Sequence, residues 1–317
     1  MNMPGQVKVL MRFQSCYPLL RTIFAKWMPF SNICTIASVL YGGFVHNHML
    51  FDGVSLSSLL IVAILVAVVA FFYSNLGLGG GQLYVPIMDL FFVSFLMKDI
   101  VPLSLALAFV TMISGAYSHG RKHLVHYRIG LQLAAAGLIG VAGGVIFTSS
   151  LPDVWIKAAF ATMLVLVATK MLSDIYRQRK DYTSCPTEFS LRCRLTGMGA
   201  SILTGFLVGS FGIGGGVVSV PLIIYVFKFE PRMAIGTSAF LGAILTPAAL
   251  IAYWLNSSEG IMIHWDIALV LAPIVLVLAI VGSTWGLQKL RTNTVKTIFT
   301  CGVYLAAAEM IYSILFL

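Results

Sequence analysis

Long apolar runs alternate with short polar breaks along the chain, and the runs fall into two sets of five. The first set is Ser57–Leu76, Gln82–Met97, Ile100–Tyr117, Ile129–Phe147 and Val154–Leu172. The second is Leu195–Phe211, Val217–Phe227, Ala234–Leu255, Ile267–Gly286 and Val295–Leu317. Most are as long as a bilayer-spanning helix, which needs about 17–25 residues, and no soluble domain fits between them. The pattern predicts an all-α polytopic membrane protein.

The first two runs of each set are joined by a glycine string: Gly77 to Pro86 reads GLGGGQLYVP and Gly212 to Pro221 reads GIGGGVVSVP, six identities in ten at an offset of 135. Farther on, His126 to Ala134 aligns with His264 to Ala272, five identities in nine, the offset having drifted to 138. The chain is therefore read as a duplication: an N-terminal extension over 1–56, repeat 1 over 57–172, a connector over 173–194 and repeat 2 over 195–317.

Composition sharpens the class. Residues are 59% hydrophobic and only 10% charged, and mean hydropathy is +0.95, whereas a soluble domain is about 25% charged. The net charge of +9 does not mark a nucleic-acid binder, because the basic residues sit in a few loops rather than along one surface. Their placement reads as topology. Arg121, Lys122 and Arg128 in one loop, the connector with Arg177, Arg179, Lys180, Arg192 and Arg194, and Lys289, Arg291 and Lys296 near the end belong on the cytoplasmic side. The loop with Glu259 and Asp266 belongs outside. Equivalent loops then face opposite sides, the mark of inverted-topology repeats of five segments, whose glycine-loop hairpins meet near the midplane. Lys98, with Asp99 beside it, dissents. In the extension, Lys8, Arg12, Arg21 and Lys26 precede the apolar stretch Ile33–Val45. This reads as an extra helix with a cytoplasmic N-terminus in a multi-pass cell-membrane protein, or as a signal segment, although no small-residue cleavage site stands out. The cysteines, Cys16, Cys34, Cys185, Cys193 and Cys301, have no paired spacing.

Glycine strings at membrane depth leave backbone N–H groups bare, which is tolerable where that backbone lines a site. Helices starting at Gln82 and Val217 would present two N-termini, each with about half a positive charge, to a small anion. The candidate site is Gly77, Gly79, Gly80, Gly81 and Gln82 with Ser74 and Asn75, and Gly212, Gly214, Gly215 and Gly216 with Ser210, Ser219, Thr237 and Ser238. Two plainer readings stand beside it: glycines for close helix packing, and hydroxyls bonded back to their own helices. Nucleotide-binding glycine motifs fail, since Gln82 and Val217 stand where one needs glycine and no Lys-Ser/Thr follows for the other. Pro86 and Pro221 are read as shaping the second arms.

Charges inside apolar runs are functional candidates. Asp89 is read as a carrier for a coupling proton, and its counterpart at offset 135 is the apolar Ile224. Lys170 and Glu309 match at offset 139; snorkelling to the interface explains the lysine. His119, His123 and His126 are read as a solvated loop rather than a metal site, and no cofactor is called for. An intramembrane enzyme would need a facing nucleophile and base or an H-E-x-x-H string, and a membrane scaffold would not need mirrored loops.

The G-x-G-G-G-x-x-x-V-P string in both halves, with Gly236–Ser238 in repeat 2 and His119 and Val125–Tyr127 in repeat 1, resembles the TauE/SafE family, the sulfite exporter or toluene sulfonate uptake permeases, over about residues 57–317. The resemblance implies a secondary transporter of small sulfur-containing anions such as sulfite, sulfoacetate or other organosulfonates, with another small anion such as a carboxylate as the alternative. Repeat 1 has Val101-Pro-Leu-Ser104 where repeat 2 has Gly236–Ser238, so an anion-binding role at that position is better supported in repeat 2.

Overall fold

The computed structural model describes residues 49–51, 54–92, 94–177, 191–256, 263–289 and 292–316. Nearly all of the extension, most of the connector and Glu259 lie outside them. The chain divides into two compact units, Met1–Met49 with Ser55–Ser57 and Leu50–Val54 with Ser58–Leu317; apart from Leu56 and Ser57, the second carries the helices that follow. Among the described residues, two short strands, Met49–Phe51 and Val54–Ser55, precede ten helices. Those of repeat 1 are α1 (Leu56–Leu76), α2 (Gly81–Phe91), α3 (Met97–Gly120), α4 (Tyr127–Ser150) and α5 (Asp153–Arg177). Those of repeat 2 are α6 (Leu191–Phe211), α7 (Gly216–Phe227), α8 (Pro231–Leu255), α9 (Trp265–Lys289) and α10 (Thr292–Phe316).

Each apolar run is a helix, with one boundary corrected. The second run, expected to reach Met97, stops at Phe91 because a new helix is capped just beyond: the Leu96 N–H reaches Asp99 Oδ2 at 3.4 Å and the Met97 N–H reaches Asp153 Oδ1 at 2.6 Å. So α2 and α7 have 11 and 12 residues, roughly 16–18 Å at 1.5 Å per residue, about half the hydrocarbon thickness.

Burial is turned inside out relative to a soluble bundle. Leu269 and Ile139 are 71% and 68% exposed, whereas Ser104, Thr111, Ser210, Thr237 and Ser238 are completely buried. Lipid wets the leucines, and the interior satisfies the hydroxyls. Where helices approach closest, glycine is the reason: α4 packs on α6 with Ile202 O and Phe206 O in the space a Cβ would need on Gly140 and Gly144, and Gly137 O in that space on Gly205. The same contact recurs between α9 and α1, with Phe71 O against Gly282. Gly144 and Gly282, and Phe206 and Phe71, are repeat equivalents, at offsets of 138 and 135.

Reciprocal contacts also bind the loop ends. His126, before α4, lies against Phe229, and His264, before α9, stacks on Phe95 with ring centroids 4.0 Å apart. One end of the bundle thereby gathers the loops that carry Arg121, Lys122, Arg128, Lys228 and Arg232, joined by the start of α6 with Arg192 and Arg194 through the thiol of Cys193 donating to Val226 O. At the other end are Lys98, Asp99, Asp153 and Asp266, where Lys98 Nζ donates to Ser149 O at 2.7 Å.

Candidate functional site

The two glycine strings cross at the centre of this arrangement. Six glycines at matched positions are left-handed: Gly77, Gly79 and Gly80 with φ of 61°, 80° and 85°, and Gly212, Gly214 and Gly215 with φ of 68°, 72° and 83°. Side chains with a Cβ rarely tolerate this backbone, so the string is glycine by conformational need. Gly81 and Gly216 are glycine for a different reason. The Cβ each lacks would collide with Gly212 O and Gly77 O respectively, the backbone of the opposite loop. Between these contacts, a Cβ on Gly79 would lie 3.0 Å from Gly214 Cα, and one on Gly214 3.0 Å from Gly79 Cα. Three pairs thus run in opposite directions along the two loops, 77 with 216, 79 with 214 and 81 with 212, a local two-fold relation whose axis passes between Gly79 and Gly214.

Hydroxyls from the third helix of the opposite repeat hold each loop. Ser238 on α8 donates to Gly77 O at 3.1 Å, and Ser104 on α3 donates to Gly212 O at 3.3 Å as well as to Val101 O at 2.7 Å. Ser104 is therefore the repeat 1 counterpart of Ser238, at an offset of 134; the missing Gly-Thr-Ser triplet concealed it. Helices α2 and α7 begin where the loops end. In α2 the first helical bonds run from Leu83 and Tyr84 N–H to Gly80 O, so the N–H groups of Gly81 and Gln82 precede the helical ladder. In α7, Val218 and Ser219 N–H bond Gly215 O, leaving Gly216 and Val217 in the same position.

Polar side chains flank these N-termini unequally. Gln82 is fully buried; its Nε2 donates to Tyr73 Oη at 2.8 Å while its Oε1 has no partner. Tyr84 shares a 2.9 Å hydrogen bond with Thr111. In repeat 2, Ser219 and Ser238 lie 2.6 Å apart. Other expected site residues are used in packing. Ser74 bonds back to Phe71 O, Ser210 reaches Gly144 O on α4, and Thr237 accepts the His126 N–H at 3.0 Å. Asn75 is buried at the end of α1. The structure thus gathers the glycines, Gln82, Ser219 and Ser238, adds Tyr73, Tyr84, Ser104 and Thr111, and sets Ser74, Ser210 and Thr237 to bracing the helices.

The histidines separate. His123 is exposed and His126 caps α4, its Nδ1 accepting the Ile129 N–H. His119 corrects the solvated-loop expectation: α3 runs past it and buries it completely. Its ring lies beside the last turn of α1 with neither nitrogen hydrogen-bonded, whereas Tyr253 Oη donates to Gly209 O at the end of α6. His119 and Tyr253 are repeat equivalents.

Asp89 lies near the end of α2, about 12 Å from the glycine loop by helical rise. It is ion-paired with Lys157 of α5, Nζ to Oδ1 at 2.8 Å, and accepts from Ser313 of α10 at 3.0 Å. Lys157 escaped the sequence reading although it stands inside an apolar run as Asp89 does.

Short half-span helices, a lipid-facing apolar exterior and a buried polar crossing define a multi-pass membrane transporter rather than a soluble enzyme. The chain belongs to the family described as sulfite exporter TauE/SafE, whose profile matches residues 61–310. It is 26% identical over 281 residues to the probable membrane transporter protein YunE of Bacillus subtilis, covering 82% of this chain and 99% of that one. It is also 26% identical to the probable membrane transporter protein MJ0441 of Methanocaldococcus jannaschii, over 70% of this chain and 80% of that one. A probable membrane transporter protein of Haemophilus influenzae, likewise 26% identical, is matched over 68% and 82%. No solved structure matches the chain.

Proposed function

We propose that this protein is a secondary transporter of small sulfur-containing anions, sulfite or organosulfonates such as sulfoacetate, which works by alternating access between two inverted repeats in the cell membrane. The observation that carries the proposal is the reciprocal crossing of the glycine loops, with one helix N-terminus at each of its two ends. Each offers N–H groups ahead of its helical ladder and about half a positive charge, so an anion can be held without a buried Lys or Arg. Three sulfonate oxygens suit several donors at once.

Charge asymmetry supports the orientation. The end with Arg121, Lys122, Arg128, Arg192, Arg194, Lys228 and Arg232 is cytoplasmic by the positive-inside rule, and the end with Asp99, Asp153 and Asp266 faces outside. The N-terminal extension then begins in the cytoplasm. Ser104 and Ser238 act as positioning residues that hold the loop carbonyls, while the backbone N–H groups touch the anion. Since Gly79 and Gly214 meet backbone to backbone, the anion sits beside the crossing, and exchange between the two faces requires the hairpins to part in turn.

The test is a panel of sulfite, sulfoacetate, other sulfonates and matched carboxylates assayed for thermal stabilisation of the purified protein. Stabilisation by the sulfur oxyanions is expected. Stabilisation by carboxylates alone transfers the site to that class, and no stabilisation by any anion overturns it.

A further inference from the structure

Where α2, α5 and α10 meet, two carboxylates face one lysine. Asp89 comes from α2, Lys157 from α5, and Glu309 and Ser313 from α10, one helical turn apart and so on one face. Lys157 Nζ has three N–H groups, and each has a place: Asp89 Oδ1 at 2.8 Å, Asp89 Oδ2 at 3.1 Å and Ser313 Oγ at 3.1 Å. The Ser313 hydroxyl in turn donates to Asp89 Oδ2 at 3.0 Å. Asp89, its side chain 3% exposed, thus has a donor on each of its two oxygens. Lys157 has no further N–H to donate to Glu309. Its Oε2 is buried without a hydrogen-bond partner, within the electrostatic reach of Asp89 and Lys157. A second anion there would face the Asp89 carboxylate with the neighbouring lysine already engaged, which is expensive, whereas the neutral acid is tolerated.

We propose that Glu309 is the proton-binding carboxyl of this transporter, poised beside a fixed Asp89–Lys157 ion pair, and that the coupling proton is taken up there rather than on Asp89. The coupling role rests on the transport reading above; the proton site does not. An O–H bond forms on a Glu309 carboxylate oxygen with a proton from water at one face, and breaks to return the proton to water at the other. The place fits the task. Lys157 is one turn from the start of α5 and its side chain is 18% exposed, so the cluster lies between the end bearing Asp99 and Asp153 and the glycine crossing. Protonation removes a charge from the α10 face that packs on α2, the helix whose N-terminus forms half of the anion site. On the opposite hairpin the residue matching Asp89 is Ile224, so the ion pair beside Glu309 has no counterpart there.

Infrared difference spectra of purified protein between low and high pH test the proton site directly. The carbonyl stretch of a titrating buried carboxylic acid should vanish in Glu309→Gln and persist in Asp89→Asn; the reverse assignment, or persistence in both, overturns the proposal. In proteoliposomes, sulfoacetate and sulfite flux by Glu309→Gln should lose its dependence on an imposed pH gradient while thermal stabilisation by both anions is retained. Unchanged gradient dependence with the infrared band lost overturns the coupling role. A wild-type protein that moves neither anion overturns the substrate reading, and the infrared result then decides the proton site by itself.

Discussion

Behind the glycine loop of repeat 1 stand Gln82, Tyr84 and Asp89 on α2, each in a polar contact with another helix. Behind that of repeat 2, the matching positions on α7 are Val217, Ser219 and Ile224, and only the serine makes such a contact. The loops are alike in backbone angle, in mutual contact and in the serine that holds each carbonyl. The crossing has therefore stayed symmetric while the two supporting arms have diverged, one toward a charged network and the other toward an apolar face. In the proposed transport cycle the symmetric part is where an anion would meet donors from both hairpins. In the same cycle the asymmetric part, the ion pair beside Glu309, is where a proton would be handled.

Substituting the crossing itself should have the largest effect. Gly81→Ala and Gly216→Ala place a methyl group into a backbone carbonyl of the other loop, which cannot rotate away, and each should cost several kcal/mol of stability, at the level of severe overpacking. Thermal unfolding in detergent checks this, and equal losses at the two positions are expected if the crossing is two-fold. Second in size is the ion pair. Lys157→Met leaves Asp89 uncompensated and should destabilise by about 2–4 kcal/mol, below the range for fully buried pairs because the lysine is partly exposed. Adding Asp89→Asn to Lys157→Met should recover most of that loss, and a double-mutant cycle that shows no coupling would contradict the asymmetry between the two arms. Smallest are Ser104→Ala and Ser238→Ala, each removing one hydroxyl from a loop carbonyl and costing about 1 kcal/mol. Their effects should match. A large loss at Ser238 with none at Ser104 would show that the serines are not equivalent.

Orientation can be sharpened by labelling. A cysteine placed at 259 should react with an impermeant reagent from outside and one at 121 should not; equal labelling of both contradicts the inverted arrangement.

Much of this was legible in the sequence, for identifiable reasons. Apolar runs report helices that must satisfy every backbone group internally, so the ten segments were readable, and so were the loops, because a left-handed backbone admits little but glycine. What was hidden depended on register. Ser104 sits at an offset of 134 rather than 135 and lacks the neighbouring Gly-Thr, so only its contact with Gly212 O reveals it as the partner of Ser238. Lys157 is a single cation among alanines and aliphatics; the rule that flagged Asp89 would have flagged it too. His119 looked like part of a basic loop because Arg121 and Lys122 follow it, but α3 continues past it by a residue and carries it under the end of α1.

Sulfoacetate binding by Gly80→Val and Gly215→Val tests the central claim most directly. Both positions are left-handed with φ above 80°, and a branched side chain there opposes the loop conformation and shields the N–H groups that follow. Measured on monodisperse protein extracted from the membrane, each variant should lose the thermal stabilisation that sulfoacetate and sulfite confer on the wild type. Near-wild-type stabilisation by both anions in both variants would show that the loops are packing devices and that the anion site lies elsewhere.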